Sequence, residues 1–394
     1  MTGVQTCALP IYQNNNTNAT YAVHITKSNI RLVGESTSSN KVVLTLLPAS
    51  LQQVGVFIAP PGCDYSASET VGGCSGSTIV SNIEIVGITV EDFPRHGIQT
   101  RRVDGFNIRE CHAFRNFGVG FYATISTNGV LQGNSASGSA DTAMSCSGCE
   151  NVSMLDNVLF DSTVGMQVTV SNNIVIRNNT IYNNTVGLGL FHPNYTLTPQ
   201  LPVMKNWTVE GNVIYDNNKF ENDAPPGTLG SLLPGGFGIL LVGTSDHVIR
   251  KNKIRDNGTS GLTIIGHCTG QALGDPNRPC GDEFPYFADP SPNNNTISFN
   301  KFQNNGNEQD PLFSDAGLPG VDILYLISPS LNETGDGNCF ELKLKTTHFA
   351  AVDGAPWGTL GQKLPNGCGL FPGFIRRLLN RLYTLPKIIS RLFG

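Results

Sequence analysis

The sequence predicts an all-β protein that folds as a right-handed, single-stranded parallel β-helix with three sheets. Two repeating columns of residues carry this prediction. A small residue that opens a short apolar pattern returns every 22 or 23 positions, at Gly97, Gly120, Ala143, Gly165 and Gly187. An apolar column repeats at the same spacing and continues after longer intervals, through Ile85, Ile108, Leu131, Met154, Ile176, Val209, Ile249 and Ile297. A fixed period of this length is typical of solenoids, whose units bury their apolar faces by stacking on their neighbours.

Asparagine at the predicted turns favours a β-helix over a leucine-rich repeat, which shares the period. Three positions after the apolar column stand Asn134, Asn157, Asn179, Asn212, Asn252 and Asn300, with Cys111 in the equivalent place one coil earlier. Asparagine tolerates a left-handed backbone, and stacked amides can hydrogen-bond to one another. A leucine-rich repeat would show a denser leucine pattern. We therefore expect one asparagine per coil to form and stabilise a turn.

The rest of each coil supplies another strand and another turn. A second apolar column contains Ala136, Leu159, Ile181, Ile214, Ile254 and Phe302. Two positions later, a second turn column contains Asp161, Asn183, Asp216, Asp256 and Asn304. Each coil is thus predicted as strand, turn, strand, turn, strand, with short strands and no helical period. The right hand follows from the rule for crossovers between parallel strands.

A single β-helix domain is expected over residues 12–335. Opening coils are predicted at 21–47, regular coils at 82–192 and a last full strand at 321–327. Four insertions interrupt the coils, at 51–77, 193–205, 222–236 and 268–293. Because insertions in solenoids occur at turns, we expect these four insertions to form the sides of a groove.

Both ends of the chain differ from the coils. Residues 1–11, MTGVQTCALPI, resemble the translation of a sequencing-adapter oligonucleotide, so we exclude them from fold reasoning and expect that a signal peptide has been lost. Residues 336–370 are predicted as a disulfide-closed segment. Residues 371–394 have apolar pairs every four positions with arginines between them, which indicates a short basic amphipathic helix. This helix would cap the solenoid, be a tail of unrelated origin, or make weak contact with a membrane surface.

Cysteine spacing predicts loops closed by disulfides. Three pairs bracket loops or the terminal segment: Cys63 with Cys74, Cys268 with Cys280, and Cys339 with Cys368. Disulfides persist in oxidising compartments, so we expect a secreted or extracytoplasmic protein. Ten Asn-x-Ser/Thr sites leave glycosylation open. Cys146 and Cys149 form a lone CxxC motif, for which a buried thiol or a local disulfide is favoured over a metal site.

Composition argues against a nucleic-acid partner. Charged residues make up 14% of the chain, against about 25% in average proteins. The net charge is −5, and no basic cluster is visible along the repeats. We therefore expect no nucleic-acid partner. The protein is also expected to be a monomer.

The coils resemble the right-handed β-helix repeat proteins of the pectin-lyase-like superfamily. The resemblance spans roughly 82–265, and the stretches VEDFPRHGIQT, SGSADTAMS, NNTIYNNTVGLGL and NDAPPGTLGSLLPGGFGILLV resemble a secreted subgroup whose activity is not settled. The superfamily includes pectate and alginate lyases, polygalacturonases and polyuronate epimerases, so the resemblance implies a carbohydrate-active fold. The chain lacks the paired aspartates with Gly-His-Gly of polygalacturonases and the Asp-Pro-His-Glu of alginate epimerases.

Strand alternation after Gly97 predicts which side chains point outward. Ile98 and Thr100 should face the core, so Gln99 and Arg101, and Arg95 before them, should face outward. Later coils place further residues in the same three columns. The column of Gln99 continues with Tyr122, Ser145 and Gln167, and the column of Arg101 continues with Thr124, Ser147, Thr169 and Phe191. The column of Arg95 continues with Gly118, Asp141 and Thr163. Since stacked strands lie about 4.8 Å apart, we expect Tyr122 within reach of Arg101 and Asp141.

This cluster suits an acidic sugar. Lyases and epimerases of uronic acid polymers neutralise the carboxylate with a cation and remove the adjacent proton with a positioned base. We assign Arg101 and Arg95 to neutralisation, Tyr122 to proton transfer, and Asp141 to orienting the tyrosine or binding a calcium ion. The predicted substrate-binding residues are Gln99, Gln167, Thr124 and Phe191. No residue is assigned as a metal ligand, and calcium stays open as a cofactor.

A non-catalytic role fits the same face. A stripe of Gln, Tyr, Ser and Thr also keeps a β-helix hydrated, so the chain would then be a surface or envelope protein that binds glycan or protein. For the carbohydrate-active protein, the predicted partner is an extended, acidic polysaccharide. Strict alternation places His96 inward, as a structural turn histidine, and His112 and His192 fall at turns. Hydrolysis by two carboxylates would need a second acid near Asp141, and the outward columns supply none.

Overall fold

The computed structural model describes residues 20–34, 42–46, 51–66, 74, 78–192, 204–221, 223–224, 230–274, 291–343, 345–352, 364 and 368. These residues form a parallel β-helix with three sheets, as predicted. Each coil up to residue 303 contributes one strand to each sheet in turn, and the described residues after it add strands to two of the sheets. All pairings between the strands are parallel. The predicted terminal helix at 371–394 and the adapter-like residues 1–11 lie outside the described residues.

Sheet A holds eleven strands within the described part of the chain. They are β1 (Tyr21–Ile25), β4 (Val54–Ile58), β7 (His96–Arg101), β10 (Val119–Thr124), β13 (Thr142–Ser147), β16 (Val164–Thr169), β19 (Val186–Phe191), β22 (Phe237–Val242), β25 (Ser260–Ile265), β28 (Val321–Ile327) and β30 (His348–Val352).

Sheet B holds ten of the described strands. They are β2 (Ile30–Val33), β5 (Val80–Val86), β8 (Val103–Arg109), β11 (Thr127–Gln132), β14 (Glu150–Leu155), β17 (Asn172–Arg177), β20 (Lys205–Glu210), β23 (Val248–Arg250), β26 (Thr296–Ser298) and β29 (Cys339–Glu341).

Sheet C holds nine strands among the same residues. They are β3 (Val42–Thr45), β6 (Ile88–Glu91), β9 (His112–Phe114), β12 (Ser135–Ser137), β15 (Val158–Phe160), β18 (Thr180–Tyr182), β21 (Val213–Tyr215), β24 (Lys253–Arg255) and β27 (Lys301–Gln303). The described part of the chain contains two short helices, α1 (His267–Gly274) and α2 (Pro311–Asp315), and two 3₁₀ turns, Gly230–Leu232 and Pro329–Leu331. None of the described helices has the length and apolar character needed to span a membrane.

Two predicted boundaries differ from the structure. The insertion predicted at 51–77 contains β4, which pairs with β1 and β7 and is fully buried. The last full strand was predicted at 321–327, yet β29 and β30 also join the sheets. The β-helix therefore continues into the segment 336–370 that the sequence sets apart.

The predicted apolar columns form the core. Ile108, Leu131 and Met154 are register partners on adjacent strands of sheet B, and Leu159 pairs with Ile181 in sheet C. All of them are buried within one continuous cluster. The core is thus assembled by stacking identical positions, as a solenoid requires.

The asparagine column forms a buried ladder at the turn from sheet B to sheet C. Nδ2 of Asn157 donates to Oδ1 of Asn179 at 2.9 Å, and Oδ1 of Asn157 accepts from the backbone N–H of Asn134 at 2.9 Å. The predicted left-handed backbone is wrong for these asparagines, none of which has a positive φ. The residue before each one takes that conformation instead, for example Asp156 with φ 55° and Asn178 with φ 57°.

A second buried ladder lies at the turn from sheet C to sheet A. The side chains of Asn184, Asn217, Asn257 and Asn305 hydrogen-bond in succession at 2.9–3.0 Å. The predicted second turn column lies one residue earlier and is left-handed, with φ of 52–58°. Hence the turn position was predicted, but the ladder beside it was not.

The described cysteines form the disulfides that their spacing predicts. Disulfides join Cys63 to Cys74 and Cys339 to Cys368. Cys268 is also disulfide-bonded, and its predicted partner Cys280 lies outside the described residues. Such bonds indicate an oxidising, extracytoplasmic compartment. Cys146 and Cys149 are buried thiols rather than members of a disulfide, so the buried-thiol interpretation of the CxxC motif is confirmed.

Candidate functional site

The outer face of sheet A carries the predicted polar columns. Ile98 lies in the core, so the neighbouring Gln99 points outward. Gln99, Tyr122, Ser145 and Gln167 are register partners on β7, β10, β13 and β16. In the same way, the structure aligns the second column of Arg101, Thr124, Ser147 and Thr169. Residues from four coils therefore form one polar surface.

Beyond β16 this face becomes apolar. Phe191, Phe237 and Leu240 belong to a buried cluster on the outside of sheet A, and Phe313 of α2 packs on it with a ring distance of 5.0 Å from Phe237. Phe191 follows the predicted column, in register with Thr169. It is only 5% exposed, so its surroundings are those of a core residue rather than of an open sugar platform.

Part of the polar face is covered by the chain itself. Gln99, Arg101 and Thr124 are at most 1% exposed. Nε2 of Gln99 donates to the carbonyl of Tyr65 at 3.2 Å, which places Tyr65, close to the Cys63–Cys74 disulfide, over this glutamine. These three side chains point outward as predicted, but they are buried. The accessible part of the face contains Arg95, Tyr122, Asp141 and Gln167.

His96 lies beside Tyr122 on the outer face. The two ring centroids are 4.9 Å apart, at an angle of 52°. The prediction that His96 points inward is therefore wrong. A Cβ on Gly97 would point inward, against the side chains of Asn116 and Ala113, and Ile98 also faces the core. Two successive inward positions break the alternation and turn His96 outward.

The imidazole of His96 is a neutral hydrogen-bonding group. Its Nδ1 accepts the backbone N–H of Val119 at 3.1 Å, so in the neutral ring the proton is on Nε2. Burial, aided by the positive charge of Arg95, lowers the pKa of His96 to about 3. At neutral pH the site therefore holds an uncharged imidazole against the ring of Tyr122, with guanidinium groups on the same face.

Asp141 is offset from Tyr122 along the strand direction. It precedes Thr142, four residues before Ser145, the register partner of Tyr122. That offset corresponds to roughly 13 Å along the strand. The hydroxyl of Thr142 contacts Oδ1 of Asp141 at 3.0 Å and Oε1 of Gln167 at 3.1 Å. Asp141 is thus joined to Gln167 through Thr142.

Calcium was left open as a cofactor because of Asp141. Within the described ranges, no group of three or more His, Cys, Asp or Glu side chains is arranged to hold a metal ion. Calcium also binds backbone and amide oxygens, so the cofactor stays a prediction, and we derive no chemical step through it.

Comparison with known proteins agrees with this architecture. Two overlapping stretches, 68–198 and 96–275, match the family model described as right handed beta helix region, and together they cover more than half of the chain. The protein belongs to the right-handed β-helix family. The predicted fold class and the predicted hand are thereby confirmed for this right-handed β-helix protein.

Solved structures share the fold at low sequence identity. DFA-IIIase from Arthrobacter chlorophenolicus A6 without its lid is 14% identical, with a TM-score of 0.50 over 85% of this chain and 78% of that one. The A-module of the mannuronan C-5 epimerase AlgE4 from Azotobacter vinelandii is 15% identical, with a TM-score of 0.45 over 85% and 91%. Such likeness concerns the fold alone. No curated protein sequence matches this β-helix protein.

Proposed function

We propose that this protein is a secreted carbohydrate-active β-helix that binds an extended, acidic polysaccharide across the outer face of sheet A. Its reaction is removal of the proton next to a uronate carboxylate, completed as β-elimination or as C5-epimerisation. The packed pair of His96 and Tyr122 supports this proposal most strongly, because it gives the polar face a candidate proton-transfer group.

Arginine provides the electrostatic part of the proposed chemistry. Removal of a proton next to a carboxylate places negative charge on that carboxylate, and a positioned cation stabilises the transition state. Arg95 is exposed at the edge of the face, and Arg101 is buried within it, two residues after Gln99. A guanidinium also matches a carboxylate with two parallel hydrogen bonds.

Tyr122 is the proposed base. Its phenolate would take the proton from C5 of the sugar. In elimination, the electron pair left on C5 forms the C4–C5 double bond as the C4–O bond breaks, and the phenol returns its proton to the departing oxygen. In epimerisation, C5 instead receives a proton from a water molecule on its opposite face, and the phenol gives its proton to solvent, which restores the phenolate. The Nε2–H of neutral His96 is a proposed hydrogen-bond donor that stabilises negative charge at the site.

A binding protein without catalysis is the second candidate. The observation that favours it is the burial of Gln99, Arg101, Thr124 and Phe191, which removes four of the eight predicted site residues from direct contact with a polymer. In that case the accessible Arg95, Tyr122, Asp141 and Gln167 would only bind glycan.

One assay distinguishes the enzyme from the binding protein. The protein is incubated with alginate, pectate and related polyuronates, with calcium and with a chelator. Ultraviolet absorbance follows unsaturated products, and NMR in deuterated water follows exchange at C5. We expect activity on at least one polymer, reduced at least about 100-fold in Tyr122→Phe. Tyr182→Phe, whose ring stacks between Phe160 and Tyr215 on sheet C, is the matched control.

Activity that is equal in both tyrosine variants would show that the reaction occurs elsewhere. Glycan binding without elimination or exchange would establish the binding protein instead.

A further inference from the structure

Stacking brings five basic side chains together on the edge where sheet B turns into sheet C. We call this the basic edge: Arg177, Arg250, Lys251, Lys253 and Lys301. No basic cluster was visible along the sequence, because these residues belong to three different regions of the chain. Arg177 and Arg250 lie in one column of sheet B, on either side of Glu210. Lys251 directly follows Arg250 at the turn, and Lys253 begins the next strand.

Glu210 supplies less negative charge than the positive charge that surrounds it on this edge. Its carboxylate is shared by Lys251 at 2.9 Å, Arg250 at 3.1 Å and Arg177 at 3.5 Å. The hydrogen bond from Lys251 is the main cause that keeps the pKa of Glu210 below its usual value. One negative charge thus faces three positive ones, whose side chains remain 42–60% exposed.

Lys253 and Lys301 add two more charges with no described counter-ion. They are register partners on β24 and β27, and both are exposed. Among the described residues, neither forms an ion pair within 4 Å. Like charges directly opposite each other on neighbouring strands are destabilising, so an anion placed between them would relieve this repulsion. The next cation, Arg255, is paired with Asp256 and lies over the ring of Tyr215.

The pattern of charge matches an extended ligand. Arg177 and Arg250 are two coils apart, which is roughly 10 Å along the helix axis, and Lys253 and Lys301 are one coil apart. The whole chain carries a net charge of −5, so a locally basic edge is the part of the surface that attracts a polyanion. Its cations follow the axis of the β-helix, the direction in which a linear polymer can contact successive coils.

We propose that the basic edge is a second binding surface for an acidic polysaccharide, separate from the face that carries Tyr122. The class of ligand rests on the proposed function, while the location rests on the charges described above. The edge holds the polymer by ion pairing and takes no part in proton transfer. It therefore raises affinity for long chains more than for short oligomers, which cannot occupy both surfaces.

The test measures binding of polyuronate of high molecular mass at two salt concentrations. Lys253→Gln/Lys301→Gln is compared with Lys27→Gln/Lys205→Gln, in which two exposed lysines outside the basic edge lose the same charge. We expect the edge variant to bind about fivefold more weakly at low salt, with a smaller salt dependence, and the control to bind as the wild type does. Circular dichroism checks that both variants fold.

Equal affinity of the edge variant and the control would overturn the proposal. So would equally tight binding of a single-stranded oligonucleotide to the wild type through the same lysines, since the edge would then be a nucleic-acid surface. Tyr122→Phe separates this proposal from the proposed function. If Tyr122→Phe and the wild type are both inactive while the edge variant still loses binding, the proposed reaction fails and the basic edge stands.

Discussion

Asn157 donates its side-chain amide to Oδ1 of Asn179, one coil away, at 2.9 Å. The same oxygen also accepts the backbone N–H of Asn157 at 2.9 Å. A single side chain therefore satisfies two buried donors of its neighbour, and the repetition of this contact from coil to coil fixes the turn between sheets B and C.

Replacing Asn179 by alanine tests the buried ladder. The change removes the oxygen that accepts two buried N–H groups of Asn157, each of which costs about 1–3 kcal/mol when left unpaired. We expect the free energy of unfolding to fall by about 2–5 kcal/mol, measured by urea denaturation. Asn183→Gly is the control, because Asn183 is exposed with φ 54° and glycine accepts that backbone. Equal losses in both variants would contradict the role of the ladder.

Close contact between coils is tested at Gly238. A Cβ at this position would lie 2.5 Å from the carbonyl oxygen of Gly261 and 2.8 Å from side-chain atoms of Ile254 and Asn257. Gly238→Ala should therefore destabilise the protein by about 1–3 kcal/mol. Gly133 has φ 63°, and a Cβ added there would meet no atom within 4 Å, so Gly133→Asn should be nearly neutral. A stable Gly238→Ala variant would mean that the coils are farther apart.

Acidification tests the buried histidines. Burial lowers the pKa of His96 and of His247 to about 3, whereas histidine in an unfolded chain titrates near 6.5. Below pH 6.5 the unfolded state takes up protons that the folded state does not. Stability is therefore complete above pH 6.5 and is lost as the pH falls towards 3, by about 1.4 kcal/mol per pH unit for each histidine.

His247→Asn is the variant that isolates one of these histidines. The ring of His247 stacks on Trp207 at 4.2 Å, and its Nδ1 accepts the backbone N–H of Trp207 at 3.3 Å. Asparagine occupies the equivalent place one coil later, at Asn295, and keeps an acceptor. Denaturation between pH 7 and 5 should show a slope smaller by about 1 kcal/mol per pH unit on average, since the unfolded histidine titrates near 6.5. An unchanged slope would mean that His247 is not buried and neutral.

The repeat made most of the fold predictable. A period of 22 or 23 residues aligns Ile108, Leu131 and Met154 without further information, and the structure stacks them in that register. β4 was missed because Val54–Ile58 lies inside an irregular insertion, where the period is lost. The left-handed backbone was assigned to the ladder asparagines because the sequence does not show which of two adjacent residues makes the bend.

The candidate site was less predictable than the fold. The columns of Gln99 and Arg101 followed from alternation, but their burial did not, because the cover over Gln99 comes from Tyr65 in a distant insertion. His96 was placed inward since the sequence gives no sign that Gly97 and Ile98 both face the core. The basic edge was missed because its residues are brought together only by the stacking of coils of unequal length.

A crystal structure of the Tyr122→Phe variant with a bound oligouronate would show whether the outer face of sheet A holds the sugar for proton removal by Tyr122. The oligomer should lie across the outer face of sheet A, with C5 of one sugar directed at the ring of residue 122 and its carboxylate bound by the exposed Arg95 and facing the buried Arg101. An oligomer bound only elsewhere, or one whose carboxylate points away from both arginines, would contradict the proposal.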